Sequence, residues 1–579
     1  MSVSKFLRTL LLSCLCTAMP ALAQTGVVAG TVTDPIGNPI AAASVTLAGV
    51  DGPSHSGATA PDGTFLLQQL PSGTYTVRAT APGFAALEQS SVAVAVSRTT
   101  HLTLQLTLAG VQQTVNVTGG ASAFDTSQSS SVVNIDRDRV EELPIPSRNY
   151  LTFVTLSPQV AAANPALPHP GGAPSSGSFS FGGLRPGSNA VTLDGVNDDD
   201  EYAGGSRTQL SPEAISDFQI VNHGFAAESG GGAGGSIDVQ TRSGLNRIHG
   251  DAFLFVQNGA LNGTPPLELT PRKPDENRLR AGVALGGPIQ RDHTYYYVAA
   301  EQELARGEDA NDLSPATLTA INAAIKPYAP LANLTLQPGF FPTTDQETEL
   351  SGRIDHALTP AEALMLRYAF TNSRSVNDAF HTDDLTDRSS RGSSFLADNS
   401  LNATLTSTLS SALYNNLSFE LAQRRALDRT NTASGPGILV PGVALFGTPW
   451  SGNDRRFETH LEFADALSLQ HRQHLIKLGT HIDRVALRTN VPDAAQGFFV
   501  FANLATLQAR TPDFYIQSFG NFSTDLTEVR LAAFAQDHWT VSRRLSLDYG
   551  LRYDLNHLPS PLPQAELNVS PRLGLAWSR

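Results

Sequence analysis

The sequence predicts a mainly β chain in three successive parts: a small N-terminal β-sandwich, a small glycine-rich α/β domain, and a long run of antiparallel strands suited to a membrane. Three observations carry this. The 579 residues include 48 Gly and 36 Pro, which fits short strands and turns better than long helices. Past the first two dozen residues no uninterrupted apolar stretch reaches the roughly 20 residues a membrane helix needs. From Ile248 onward apolar and polar residues alternate with a period of two, as in strands with one face in lipid and one toward a lumen.

The first element, residues 1–23, reads as a cleavable signal peptide. Lys5 and Arg8 give a positive start, Leu10 to Met19 is a short apolar run, and Ala21-Leu22-Ala23 is a small-residue cleavage site. Leu11-Leu12-Ser13-Cys14 also admits a lipoprotein reading, but with an unusually short apolar run. Both cysteines, Cys14 and Cys16, lie inside this segment. A mature chain starting near Gln24 therefore has no disulfide, no thiolate metal site and no cysteine nucleophile. Net charge is −14, which argues against nucleic acid as a partner, because phosphate binding needs clustered positive charge.

Residues 24–108 show short strands separated by turn chemistry. Val27–Val32 runs into Asp34-Pro35-Ile36-Gly37-Asn38-Pro39, and Ala43–Leu47 follows. Pro61-Asp62-Gly63-Thr64 precedes Phe65-Leu66-Leu67, and Pro71-Ser72-Gly73 precedes Tyr75–Ala79. Proline presets φ and glycine accepts positive φ, so these are turns with a mechanism, and the strand spacing implies a small antiparallel sandwich. The G-x-V-x-D-x-x-G-x-P run from Gly30 to Pro39, with Asp62-Gly63-Thr64-Phe65 and Leu70-Pro71-Ser72-Gly73-Thr74-Tyr75, resembles the carboxypeptidase-regulatory-like domain. That domain has no catalytic residues of its own; the plain alternative to ligand binding is a folded spacer.

Residues 109–123 lose this rhythm. Val111 to Thr118 is extended and β-prone, and Gly119-Gly120-Ala121-Ser122 is flexible. A free strand at a flexible end can add to the edge of a partner's sheet. Gln113, Thr114, Val115, Asn116 and Val117 are the candidate for such a strand, with an ordinary linker as the alternative.

Residues 124–245 carry the densest pattern. Ile135 to Leu143 predicts a short helix before Pro144-Ile145-Pro146-Ser147-Arg148-Asn149. A Gly/Pro/Ser-rich loop then leads to Phe181-Gly182-Gly183-Leu184-Arg185-Pro186-Gly187-Ser188-Asn189 and Ala190-Val191-Thr192-Leu193-Asp194-Gly195. Ser211-Pro212-Glu213-Ala214-Ile215 reads as an N-cap serine, a first-position proline and an acid in the first helical turn. Phe218–Asn222 and Gly235–Thr241 read as strands. The order G-x-R-P…N…D-G, P-x-x-I, A-E-x-G and G-x-I-x-V-x-T-x-S-G closely resembles the plug domain of TonB-dependent receptors. On this resemblance Arg185, Asn189, Asp194 and Gly195 are structural residues of the plug, with Arg185 and Asp194 satisfying buried polar groups. The strand at 113–117 becomes a candidate TonB box. Gly230-x-Gly232-x-x-Gly235 matches a nucleotide-binding pattern but leads into a strand instead of a helix, which argues against that use. Asp198, Asp199, Asp200 and Glu201 form a weak candidate for calcium; without the spacing of a helix-loop-helix calcium site, a solvated acidic loop is the plainer reading.

Residues 246–579 supply the membrane strands. Leu545, Leu547, Tyr549, Leu551 and Tyr553 alternate with Ser546, Asp548, Gly550, Arg552 and Asp554. Ile476-Leu478-Thr480-Ile482 against Lys477-Gly479-His481-Asp483, and Leu364-Leu366-Tyr368-Phe370 against Met365-Arg367-Ala369, repeat the pattern. A soluble antiparallel sheet alternates in the same way, but the leader and the plug-like order favour an outer-membrane barrel. Leu285 to Ile289, Phe534 to Val541 and Ser570 to Ala576 resemble barrel strands of the same receptors. These close with about 22 strands, of which this stretch provides about half, so the barrel is expected to be incomplete.

No H-E-x-x-H, G-x-S-x-G or phosphate-binding loop is present, and the expectation is a non-enzyme without cofactor. The resemblance implies a receptor or transporter of the Gram-negative outer membrane, its N-terminal domain in the periplasm. Its partners would be a TonB-type inner-membrane protein, outer-membrane lipid, and a small-molecule, glycan or peptide ligand. The alternatives are a surface adhesion protein without active transport and a soluble glycan-binding sandwich.

Overall fold

The computed structural model describes residues 26–577 apart from 50–53, 71–72, 95–98, 109–115, 119–129, 144–147, 163–178, 201, 203, 224–225, 264–271, 312, 328–330, 332, 381–385, 433, 543, 563, 565 and 567. The leader 1–23 and Gln113, Thr114 and Val115 lie outside the described residues.

The N-terminal part is a sandwich of two sheets. One holds three strands in the order Thr64–Leu70, Gly26–Thr33, Thr99–Gln105. The other holds five, in the order Ser54–Ala58, Ser44–Gly49, Gly73–Thr80, Leu87–Val94, Asn116–Thr118. Alternating Val28, Val32, Val45, Leu47, Phe65, Leu67, Val77 and Leu104 meet between them. The turns form as their residues require: Asp34 accepts the N–H groups of Ile36 and Asn38 at 3.0 and 2.8 Å, and Asp62 accepts from Thr64. The purely antiparallel expectation is corrected in two places. Gly26–Thr33 pairs parallel with Thr99–Gln105, and Leu87–Val94 pairs parallel with Asn116–Thr118. In both cases a distant segment returns beside an earlier strand, a relation that local alternation does not encode.

The second part is a five-stranded mixed sheet in the order Val196–Asn197, Ala190–Leu193, Ser236–Thr241, Ile215–His223, Ser131–Ile135. A helix at Arg137–Glu142, capped by Asp136, and a 3-10 turn at Tyr150–Leu156 pack on it. Its core of Ile135, Tyr150, Phe153, Val191, Phe218, Ile237 and Val239 continues into Ala284, Tyr297, Ala299 and Ala369 of the wall around it.

That wall is one twelve-stranded antiparallel meander: β1 His249–Asn258, β2 Glu276–Gln290, β3 Thr294–Asn311, β4 Gly339–Thr359, β5 Glu362–Asp378, β6 Gly392–Thr408, β7 Leu413–Thr430, β8 Arg455–His471, β9 His474–Asn490, β10 Ser523–Ser542, β11 Leu545–His557 and β12 Asn568–Trp577. Among the described residues β1 and β12 each have one neighbour. Turns at 291–293, 360–361, 409–412 and 472–473 and the short connection from β10 to β11 lie at one end, and the longer connections lie at the other. This asymmetry is that of membrane barrels, with short turns toward the periplasm. The expected alternation holds. Leu366, Tyr368, Leu478, Ile482, Tyr549, Leu551 and Tyr553 are exposed on the outside, while Met365, Arg367, Ala369, Asp483 and Arg552 are buried on the inside. No helix among the described residues is long and apolar enough to cross a membrane.

Three of the long loops pack together. The helix Pro315–Ile325 and strands Gly437–Val440, Ala444–Gly447 and Phe498–Val500, with the helix Leu504–Ala509, share a core of Leu318, Ile321, Ile325, Ile438, Val440, Phe446, Phe501 and Leu507.

Candidate functional site

The site is the interface between the plug and the inner face of the wall. Asp194 and Gly195 form the two-residue turn between Ala190–Leu193 and Val196–Asn197, at φ +50° and +83°. Positive φ at both positions is what a tight hairpin turn of this kind demands, and Asp-Gly supplies it at low cost. The turn drives the Asp194 carboxylate into the wall. It forms ion pairs with Arg367, whose Nε lies 2.9 Å away, and with Arg353, whose Nη1 lies 3.4 Å away. Its other contacts are the Thr241 N–H at 2.9 Å and the Thr241 hydroxyl at 2.8 Å. Asp194 and Arg367 are 0% and 1% exposed, so neither charge has water to fall back on, and removing either would leave the other with poorer compensation.

The same construction repeats along the plug. Arg207 donates to Glu420 of β7 at 2.9 Å. Arg148 bridges Glu213 of the plug and Glu301 of β3. Lys477 of β9 reaches Glu228 at 2.7 Å. Ser211 does not cap the turn that follows it; its hydroxyl donates instead to Glu213 and, at 2.6 Å, to Glu301. The charged carboxylates take the hydroxyl proton in strong bonds that fix the direction of this side chain. Gly230 is glycine because the Arg552 guanidinium crosses where its Cβ would be, 2.2 Å away, on its way to the carbonyls of Ala227 and Glu228.

Of the four expected plug residues, Asn189 is buried and donates to the Phe179 carbonyl at 2.6 Å, and Asp194 and Gly195 act as described. Arg185 is the exception. It is exposed and lines a cavity instead of satisfying a buried group, and no residue of the turn Pro186–Ser188 that follows it is buried either. The acidic run is corrected as well: it is not solvated. Asp198 and Asp200 are 2% and 1% exposed. Asp200 pairs with Arg424 of β7 and, at 2.8 Å, with Arg456 of β8. Asp198 accepts from Ser206 and Thr208, and Asp199 from the Val191 N–H. Protein donors therefore engage all three carboxylates, and no group suited to a metal occurs among the described residues. Glu201 lies outside them. Asn116 and Val117 of the 113–117 candidate form the strand paired with Leu87–Val94.

Sequence reading missed the wall's share of the site: Arg353, Arg367, Glu420, Arg424 and Arg456. The signal was available, since each stands at an inward position of an alternating strand where a small polar residue would suffice. Between plug and wall lies a cavity of about 1100 Å³ lined by Arg185, Glu228, Asp238, Lys477, Arg530 and Arg572 among others. Chemically, the arrangement holds the plug against the wall by charge-assisted bonds as well as by apolar packing.

Known proteins agree with this architecture. A family model described as outer membrane beta barrel domain matches residues 240–311 and 305–571, more than half of the chain, and one described as carboxypeptidase regulatory-like domain matches 27–107. The TonB-dependent transporter Oar of Myxococcus xanthus is 26% identical over 312 residues, 51% of this chain and 28% of its own length. Among solved structures, the outer membrane transporter YddB from Escherichia coli superposes with a TM-score of 0.55 at 12% identity, covering 77% of this chain and 58% of its own. The siderophore receptor PirA from Pseudomonas aeruginosa gives 0.46 at 13%, covering 78% and 60%. The chain thus spans about a quarter of the length of Oar and under two thirds of the two solved transporters. It belongs to the outer-membrane β-barrel domain family and is a protein of the outer membrane, in which a carboxypeptidase-regulatory-like domain precedes a plug-like domain and a barrel wall similar in fold to those of the outer membrane transporter YddB.

Proposed function

We propose that this chain serves energy-dependent uptake across the outer membrane, as the plug-bearing portion of a TonB-dependent transporter for a small-molecule, glycan or peptide ligand. The observation that carries the reading is the set of buried ion pairs between plug and wall, from Asp194–Arg367 to Asp200–Arg424. A domain meant to stay would be held more cheaply by apolar packing, since buried ion pairs add little net stability. Bonds of this kind are well defined when closed and exchange readily for water when the domain moves. Residues 113–117 would pair with the sheet of a TonB-type inner-membrane protein, which pulls on the plug from the periplasm.

The test is binding. The periplasmic domain of the host's TonB-type protein should bind the full chain in detergent, and proline at Thr114, Val115 or Asn116 should abolish this by removing backbone donors. Unchanged binding would remove the assignment of these residues. Uptake itself should cease when a protonophore collapses the inner-membrane gradient; persistence would favour surface adhesion instead.

A further inference from the structure

The first strand of the sandwich breaks the alternation that a free-standing sandwich needs. Val28 and Val32 enter its own core, yet Val27 and Ala29 on the opposite face are also buried, at 8% and 0% exposure. Leu66 in the neighbouring strand behaves likewise, while Phe65 and Leu67 on either side of it point inward. These three residues form one apolar cluster with Tyr414, at the turn end of β7. Two further attachments lie beside this one. His101 of the sandwich stacks on His538 of β10 with ring centroids 4.7 Å apart. The backbone N–H of Arg472, in the β8–β9 turn, donates to the Asp62 carboxylate. All three contacts are on the short-turn rim of the wall. Val27 and Tyr414 also line the cavity between plug and wall, so the sandwich forms part of its floor.

The geometry points to a gate: the docked sandwich closes the periplasmic mouth of this cavity, and its release opens a path between cavity and periplasm. Among the described residues the contact is of modest extent: it includes one apolar cluster, one ring pair, one hydrogen bond and the approach of strand Thr64–Leu70 to β8. An interface of this size between domains of one chain is expected to open and close. The strand Asn116–Thr118 lies on the second sheet of the same sandwich, paired with Leu87–Val94. A pull on the adjoining segment therefore reaches the sandwich before it reaches the plug. That last link, and the identity of what passes, rest on the uptake reading above; docking and closure do not.

The test uses the full chain in lipid vesicles, with Ser418→Cys as reporter inside the cavity, opposite Ala464 and away from Tyr414. The only other cysteines of the sequence, Cys14 and Cys16, are replaced by Ser so that the reporter is the one thiol. A charged, membrane-impermeant methanethiosulfonate is added on the periplasmic side. Tyr414→Ser with His538→Ala leaves every sandwich residue intact, so misfolding of the sandwich cannot explain the result. Labelling should accelerate at least about tenfold, as expected when a buried aromatic contact is lost. Amide exchange at residues 27–29 should rise in parallel. Equal labelling rates in the two proteins would overturn the gate. Faster labelling in a chain that supports no energised uptake would keep the gate and sink the uptake reading; energised uptake with unchanged labelling would do the reverse.

Discussion

Replacing Asp194 by Asn is the most informative single change. The residue sits at φ +50°, a conformation Asn tolerates nearly as well as Asp, so the turn should survive while its charge does not. Asn retains an acceptor for the Thr241 N–H, 2.9 Å away. What it loses is the negative charge between Arg367 and Arg353. Breaking one partner of a buried pair costs about 3–5 kcal/mol. Arg353 still has Asp355 at 2.8 Å, and Arg367 still has Glu420 at 3.6 Å, which places the loss at the lower end, about 3 kcal/mol. At about 1.4 kcal/mol per factor of ten, local opening of the plug should rise on the order of 100-fold. Amide exchange at Val239 and Thr241, which flank the clamp, reads this directly. Arg185→Ala, an exposed plug residue, is the control and should change exchange at these positions by less than about twofold. Native-like protection in Asp194→Asn, or an equal effect of Arg185→Ala, would refute the claim that these charges hold the plug.

Three other outcomes follow from separate parts of the molecule. Phe446→Ala opens a cavity in the core shared by the outer loops and should cost about 3–5 kcal/mol there, raising exchange in the helix Pro315–Ile325 while leaving Val239 protected. Ile482→Arg puts a charge on the lipid face near the middle of β9 and should cost about 2–4 kcal/mol in lipid, seen as a lowered urea midpoint of refolding into vesicles. In the sandwich, burial pushes the His55 imidazole down to about 4 from 6.5, and its Nε2 has no partner. The unfolded chain then takes up this proton before the folded one does. Sandwich stability should therefore be full above about pH 7, fall as the pH drops from 6.5 towards 4, and level off below. His55→Gln should remove that slope from exchange measured on the sandwich in the full chain.

Period-two alternation and turn chemistry made much of the fold legible. Leu545–Asp554 shows its two faces by composition alone, and Asp194-Gly195 marks its hairpin, because both signals lie within a few residues. The parallel return of Thr99–Gln105 beside Gly26–Thr33 was not legible, since nothing local to either strand names its neighbour. The outer cap was passed over as loop, although Ser314-Pro315 with Leu318, Ile321 and Ile325 spells a capped amphipathic helix. Its three contributing segments are short and far apart, and only their meeting makes a core. Half of the plug site was readable for a similar reason. Asp194 belongs to a compact motif, while Arg353, Arg367 and Arg424 look like any inward polar position until the plug is placed against them. The acidic run misled because clustered carboxylates suggest water or a cation unless the opposing arginines, more than 200 residues away, are known.

The account rests on a wall whose outer face meets lipid and whose inner face meets the plug, and β11 tests this most directly. Single cysteines are placed in turn at each residue from Leu545 to Asp554, each carries an environment-sensitive fluorophore, and quenching by spin-labelled lipid is measured in reconstituted vesicles. Quenching should alternate strictly, strong at 545, 547, 549, 551 and 553 and weak at 546, 548, 550, 552 and 554. Uniform quenching, or ready access of both sets to a water-soluble quencher, would contradict a plugged wall in the membrane.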